Sequence, residues 1–266
     1  MRILMVGGSG YVGSLMLPGL AARHEIRVLD PVAPPGGDGH EPGYEPGYEP
    51  GHAPEHVAGS ALDAAALAVA LDGVDAVVHA AMGRRSDVDW PHPDLVRSFE
   101  VNVASVYATL AAAHEAGVDR VVLISSLSVF ADAPVPLTDR SIDETSEPDA
   151  ADLYGVTKRL AEQVARIAAD THGMTVTALR LAWPTPDDVW PRWALPEVFA
   201  DPVQITRADG APYPALAASD LVTAVDAALS RTGGYDVFHI LGDDGSGRCL
   251  STAKARDQLG WVARHR

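Results

Sequence analysis

A chain of 266 residues that is 47% hydrophobic is long enough to bury a core of its own, as one large or two small domains. Its formal net charge of −16 excludes the basic footprint of a nucleic-acid binder and argues against docking on an anionic membrane. Cys249 is the only cysteine, so no internal disulfide can form and a reducing compartment is expected.

No apolar run reaches the roughly 18 residues of a membrane helix. The start of the chain is too short for a signal-peptide core. A cytoplasmic protein is the expectation. No Asp-x-Asp-x-Asp-Gly calcium loop occurs. His40, His52 and His56 lack cysteine partners or helical spacing, so no metal is expected.

Arg2–Val6 reads as a short apolar strand, followed by Gly7-Gly8-Ser9-Gly10-Tyr11-Val12-Gly13 and a helical pattern over Tyr11–Ala22. Glu25–Asp30 is a second strand ending on an acid. Pro31–Pro54 is rich in Pro and Gly and holds the tandem repeat EPGY-EPGY-EPGH at Glu41–His52. Such a composition cannot build a packed core, so a mobile surface loop is expected at about 31–54. Further strands are predicted at Val57–Gly59, Asp75–Ala80, Arg120–Ser125 and Met174–Leu181. Helices are predicted at Ala61–Leu71, Asp94–Ala116 and Asp152–Asp170, the last with Leu153, Val156, Leu160, Val164 and Ile167 on one stripe. Strands alternating with helices imply a parallel sheet covered on both faces. Beyond it come a proline-rich stretch with Trp183, Trp190 and Trp193, a helix at Ser219–Ser230, a strand at Tyr235–Leu241 and a short helix at Ala253–Leu259.

A glycine turn between a first strand and a helix brings backbone N–H groups to the helix N-terminus, where they bind a pyrophosphate. Here the glycines fall at 7, 10 and 13, and Gly7, Gly10, Tyr11, Val12 and Gly13 form the expected phosphate-facing set. Asp30 ends the second strand, where a carboxylate accepts from the ribose hydroxyls of NAD and repels the extra phosphate of NADP.

The chain has two lysines, and Lys158 lies four residues after Tyr154 in Tyr154-Gly155-Val156-Thr157-Lys158. Residues i and i+4 share a helix face. An ammonium beside a phenol favours the phenolate, which can take a proton from a substrate hydroxyl. Ser125, Ser126 and Ser128 follow the Arg120 strand, beyond whose carboxyl end a ligand would sit. Lys254 reads as a surface helix residue.

Taken in order, several segments resemble the extended short-chain dehydrogenase/reductases and, within them, the NAD-dependent epimerase/dehydratase family. These are GGSGYVG at 7–13, Leu29-Asp30, Asp72–Ala81, Val101-Asn102-Val103, Ser125-Ser126 with Val129-Phe130, and YGVTK at 154–158. Ser219-Asp220-Leu221-Val222 and Ala255–Trp261 continue the match, which covers most of the chain. The resemblance implies an α/β, Rossmann-type doubly wound parallel sheet over residues 1–182 and a small C-terminal substrate-binding lobe over 183–266. It implies NAD as cofactor, Tyr154 as acid/base, Lys158 as its electrostatic partner and ribose ligand, and Ser126 as the substrate-orienting hydroxyl. Ala80, Ala81 and Met82 would line the cofactor, Asn102 would lie beside it, and Ser60 and Ala61 would occupy the adenine-contacting place. His79 is given no chemistry.

Where the sequence departs from the family's pattern, the reaction narrows. Leu127 and Ser128 stand where dehydratases carry Asp-Glu, which disfavours water elimination. Tyr213 stands where nucleotide-sugar enzymes carry a diphosphate-binding Arg, Trp183 stands near the family's Asn, and the C-terminal region is short. The resemblance therefore points to a small-molecule substrate without a nucleotide tail, as in the similarly short uronate dehydrogenases. Ser128, Trp183 and Arg180 are candidates to contact it, with Trp190 and Trp193 as further stacking surfaces. For the tryptophans, packing under the proline-rich loop stays open. The expected reaction is NAD-dependent oxidation of a sugar or sugar-acid hydroxyl. An epimerase that keeps its NAD, and a non-catalytic NAD-binding sensor or scaffold, remain the alternatives. The helices Asp94–Ala116 and Asp152–Asp170 form a dimer interface in such enzymes, so a homodimer is implied.

Overall fold

The computed structural model of the protein describes residues 1–34, 53–83, 95–131, 142–196, 198–243 and 250–265. The EPGY repeat and Cys249 lie outside the described residues. Strands β1 (Arg2–Val6), β2 (Glu25–Asp30), β3 (Glu55–Ala58), β4 (Ala76–His79), β5 (Arg120–Ser126) and β6 (Thr175–Leu181) alternate with α1 (Tyr11–Ala21), α2 (Ala64–Leu71), α3 (Leu95–Phe99), α4 (Ser105–Glu115) and α5 (Leu153–His172). The π-helical turn Glu100–Ala104 joins α3 to α4. Four two-residue strands follow: β7 (Pro184–Thr185), β8 (Ile205–Thr206), β9 (Pro212–Tyr213) and β10 (Leu216–Ala217). After them come α6 (Ala218–Ser230) and β11 (Tyr235–Ile240).

The seven long strands form one parallel sheet in the order β11-β6-β5-β4-β1-β2-β3. The order reverses at β1, whose neighbours are β2 and β4. A crevice therefore opens beyond the carboxyl ends of β1 and β4, the place where doubly wound sheets bind ligands. The expected Rossmann-type fold is the observed one.

Both faces of the sheet are covered, so the strands are almost wholly apolar. Alternate residues serve opposite faces. Ile3, Met5, Val28, Val78 and Val122 pack under α1 and α6, together with Met16, Leu20, Leu221 and Val225. Leu4, Val6, Val77, Val121 and Leu123 pack against α2, α4 and α5. A third cluster joins Leu127, Val129 and Phe130 to Trp183, Tyr213 and Leu241 at the sheet's carboxyl end. Among the described residues no helix is long and apolar enough to cross a membrane.

Helix α5 corrects one expectation. It turns a small-residue face, with Gly155, Ala161, Ala165 and Ala169, toward the sheet. Leu160 and Ile167 from the anticipated apolar stripe stay exposed, Ile167 by 62%. Small side chains let the helix axis approach the strands closely. The larger apolar ones are left on the outward side. Lys254, expected at the surface, is instead half-buried against Asp236.

In-register pairing places Ser125, Arg180 and His239 side by side across β5, β6 and β11. His239 is fully buried, and that burial, helped by the charge of Arg180, pushes its pKa from 6.5 down to about 3. The folded state thus binds fewer protons than the unfolded one between those two values, so stability falls as pH drops through that window. The full slope is about 1.4 kcal/mol per pH unit for one histidine. His239→Leu should remove it. Urea unfolding at pH 7 and pH 5 should show the wild type losing about 2 kcal/mol more than the variant.

Candidate active site

The glycine loop is shaped by two hard contacts. Gly7 has φ +80, and a Cβ there would lie 2.4 Å from the Ala81 backbone. Gly7 N–H also donates to Leu29 O at 3.0 Å. The loop is thereby pressed between the ends of β2 and β4. Gly10 begins α1 with no side-chain cap, and the first turn carries no acidic residue. The N–H groups of Tyr11, Val12 and Gly13 stand at that uncapped positive end, where an anion is stabilised.

Asp30 closes the crevice on the β2 side. Its carboxylate accepts from Ser9 N–H at 3.2 Å and Val32 N–H at 3.0 Å, which holds it at the loop's edge. Arg27, three residues earlier, faces the opposite side of the sheet. There it pairs with Glu55 and donates to the carbonyls of Ala70 and Asp72 at the end of α2. Ala80 N–H donates to Val6 O at 2.8 Å, so Ala80 and Ala81 flank the glycine loop, while Met82 is 45% exposed beside it. Ala61 is buried in the cluster around Leu29 and Leu67, and the exposed Ser60 next to it bonds Leu62 N–H. These residues fit a dinucleotide: an uncapped helix end for the pyrophosphate and a fixed carboxylate for the ribose.

The chemical groups lie one step further along the sheet. Ser126 ends β5, and its Oγ accepts from Ser128 N–H at 3.1 Å, closing the turn that carries both serines. Asp152 caps α5 by accepting from Gly155 N–H at 3.0 Å, which sets Tyr154 in the first turn, half-buried. Lys158 follows one turn later, 5% exposed. Its ammonium donates to Ile124 O at 3.0 Å and stands 5.8 Å from the centre of the Tyr154 ring. Its charge also adds to burial in pushing His79 down to about 3. His79 is neutral, bonded to Ser105, and plays a structural part.

Asn102 ties the two halves together. Its Oδ1 accepts from Gly83 N–H at 2.8 Å and its Nδ2 donates to Thr157 Oγ1 at 3.0 Å. Thr157 in turn donates to Tyr154 O at 2.8 Å. The π-helical turn at Glu100–Ala104 re-aims this part of the long helix and places Asn102 there. Thr157 and Gly155 were not singled out in the sequence reading. Their signal was present in YGVTK, as a helix hydroxyl reaching back one turn and a glycine facing a turn.

The substrate candidates are mostly engaged within the protein. Trp183 is 3% exposed and packs on Tyr213 with ring centres 5.7 Å apart, so its face is used in the core. Arg180 is held by Glu162 through bonds of 2.9 and 2.8 Å and is not presented to the crevice. Trp190 donates to Ala215 O, and Trp193 packs on Phe199. Ser128 is buried in its turn, 9% exposed. Tyr213 is buried and its hydroxyl donates to Gly242 O at 3.0 Å.

The fold is that of an NAD-dependent oxidoreductase, with Tyr154, Lys158 and Ser126 at the carboxyl end of the sheet. The chain belongs to the NAD dependent epimerase/dehydratase family, whose model matches residues 3–240. It is 32% identical over 191 residues to L-arabinose 1-dehydrogenase (NAD(P)(+)) of Haloferax volcanii, covering 68% of this chain and 66% of that one. It is also 32% identical over 203 residues to 3 beta-hydroxysteroid dehydrogenase/Delta 5-->4-isomerase of Mycobacterium tuberculosis, covering 71% and 47% respectively. The chain thus spans about half to two-thirds of these relatives. Among solved structures, a short-chain dehydrogenase/reductase superfamily protein from Agrobacterium tumefaciens with bound NAD superposes with a TM-score of 0.74 at 22% identity, covering 99% of this chain and 93% of that one. A mutated uronate dehydrogenase superposes at 0.70, also at 22% identity, covering 99% and 81%. NAD is the cofactor of the family.

Gly155 presses α5 against the serine turn, since a Cβ there would lie 2.4 Å from Ser128 O and 2.5 Å from Ala150 Cβ. Gly155→Ala should lower stability by about 1–3 kcal/mol in thermal unfolding. It should also cut NAD-linked turnover more than about tenfold by displacing Tyr154. Gly173→Ala, at the helix's open far end with φ +70, should cost about 1 kcal/mol and leave turnover intact.

Proposed function

We propose that the protein is an NAD-dependent dehydrogenase that oxidises a hydroxyl of a small sugar or sugar acid. The observation that carries this reading is the pairing of Lys158 with the Tyr154 ring on α5, the ammonium bonded to Ile124 O two residues before Ser126 ends β5. That site lies next to a glycine loop and an aspartate suited to NAD. Ser126 orients the substrate hydroxyl and Tyr154 takes its proton as the carbon–oxygen single bond becomes a double bond. Lys158 holds positive charge beside the phenol. When bound, NAD accepts the hydride released from that carbon.

Two features support a substrate without a nucleotide tail. Tyr213 replaces a cation by a buried phenol, and Trp183 fills the adjoining space with a packed ring. By their names, the arabinose dehydrogenase relative acts on a sugar and the uronate dehydrogenase neighbour on a sugar acid.

The test is NADH formation from NAD with a panel of aldoses and uronic acids, a 3β-hydroxysteroid alongside, and NADP in parallel. Turnover of a free sugar or sugar acid with NAD is the expected result. Tyr154→Phe should lower kcat/KM by about 10²- to 10⁴-fold while the NAD Kd stays nearly unchanged. Tightly bound NAD with no net NADH formed on any sugar would replace this reading by an epimerase. Steroid turnover alone would overturn the substrate class.

We also propose a homodimer through α4 and α5. Tyr107 is 67% and Ile167 62% exposed on these helices, with Leu160 nearby at 40%. Apolar side chains of this size on adjoining helices suit a helix-to-helix interface. Ile167→Glu with Leu160→Glu should halve the mass seen by light scattering. A wild type that is monomeric at tens of micromolar would remove the proposal.

A further inference from the structure

Tyr11 does two things at once. Its backbone lies in the uncapped first turn of α1, at the proposed pyrophosphate site. Its side chain leaves the glycine loop altogether. The hydroxyl donates to Ala194 O, which is 183 residues away in the chain, and lies 3.1 Å from Pro184 O. Thr185, fully buried, completes the knot: its Oγ1 accepts from Ala194 N–H at 3.2 Å and its hydroxyl also meets Tyr11. Burial pushes the Tyr11 phenol up to about 12, so it stays protonated and remains a donor.

These partners are junctions of the substrate lobe. Pro184–Thr185 is β7, which pairs with β10 directly before α6. Ala194 follows Trp193, which is bridged to Val203 by bonds of 2.9 Å in each direction. Packing alone would be met by a phenylalanine. The hydroxyl's hydrogen bonds go to the lobe's backbone and to Thr185.

We infer that Tyr11 is a positioning residue that couples occupancy of the cofactor loop to order in the substrate lobe. This rests on the cofactor reading above and goes beyond it. A dinucleotide that fixes the first turn of α1 fixes the Tyr11 ring, and with it the 184–185 and 194 segments. By linkage the coupling runs both ways, so a substrate that orders the lobe also tightens the loop.

Hydrogen exchange tests the coupling without a known substrate. In the wild type, saturating NAD should slow exchange at least about fivefold at the Trp193, Val203 and Leu216 amides, which bond within the lobe. In Tyr11→Phe the NAD Kd, read by calorimetry, should stay within about threefold, but this protection should vanish. Thr185→Val, which leaves the glycine loop untouched, should uncouple in the same way. On an accepted substrate, Thr185→Val should raise KM about tenfold with kcat little changed. Equal NAD-induced protection in wild type and both variants overturns the coupling while leaving the cofactor reading intact. A wild type that does not bind NAD overturns both.

Discussion

The seating of α5 on the sheet is the contact on which the rest of the site depends. Tyr154, Lys158 and Glu162 follow one another at four-residue intervals, one per turn on the same helix face. Lys158 donates to the carbonyl of Ile124. Glu162 accepts from Ser125 Oγ at 2.6 Å and holds Arg180 through two bonds, with both ion-pair side chains almost fully buried. Arg180 also lies 5.1 Å over the Phe130 ring. Charges this deep are tolerated only with their partners in place, so the pair fixes the rotation of the helix against β5 and β6. Once that rotation is set, Tyr154 can emerge only beside the turn that carries Ser126.

The same pairing decides the electrostatics above it. Glu162 stands one turn from Lys158, and unpaired it would neutralise the ammonium. Arg180 occupies it instead. Among the described residues Lys158 forms no ion pair and bonds a neutral carbonyl. A protein with a net charge of −16 thereby keeps a local positive charge at the phenol. Neutral His79, held well below its usual pKa, neither adds to that field nor competes for the proton.

Much of this was legible in the sequence because local rules and tertiary demands agree. The glycine spacing, Asp30 and YGVTK each sit at the end of an element that the periodicity located within a few residues. The failures occurred where a side chain's partner lies far away in the chain. Arg180 looked available because Glu162 lies 18 residues away in sequence, and the open choice for Trp183 between stacking and packing could not be read because Tyr213 is distant. The face of α5 was misjudged because apolar periodicity assumes that large side chains point inward, whereas close approach to a sheet selects alanine and glycine. The last strand was expected at Tyr235–Leu241, but its place in the main sheet was not. β11 falls beyond residue 182, yet it pairs with β6 along its whole length and carries His239 into the row beside Arg180.

Cofactor choice follows from charge. Asp30 is fixed by two backbone donors at the edge of the loop, where the ribose hydroxyls would lie. A phosphate on that ribose would meet the Asp30 carboxylate. Arg27, close in sequence, cannot serve. Its guanidinium is spent on Glu55 and the end of α2, across the sheet from Asp30. The arabinose dehydrogenase relative carries both NAD and NADP in its name, so the family's fold alone does not impose the choice. In this chain the feature that favours NAD is one held carboxylate, Asp30.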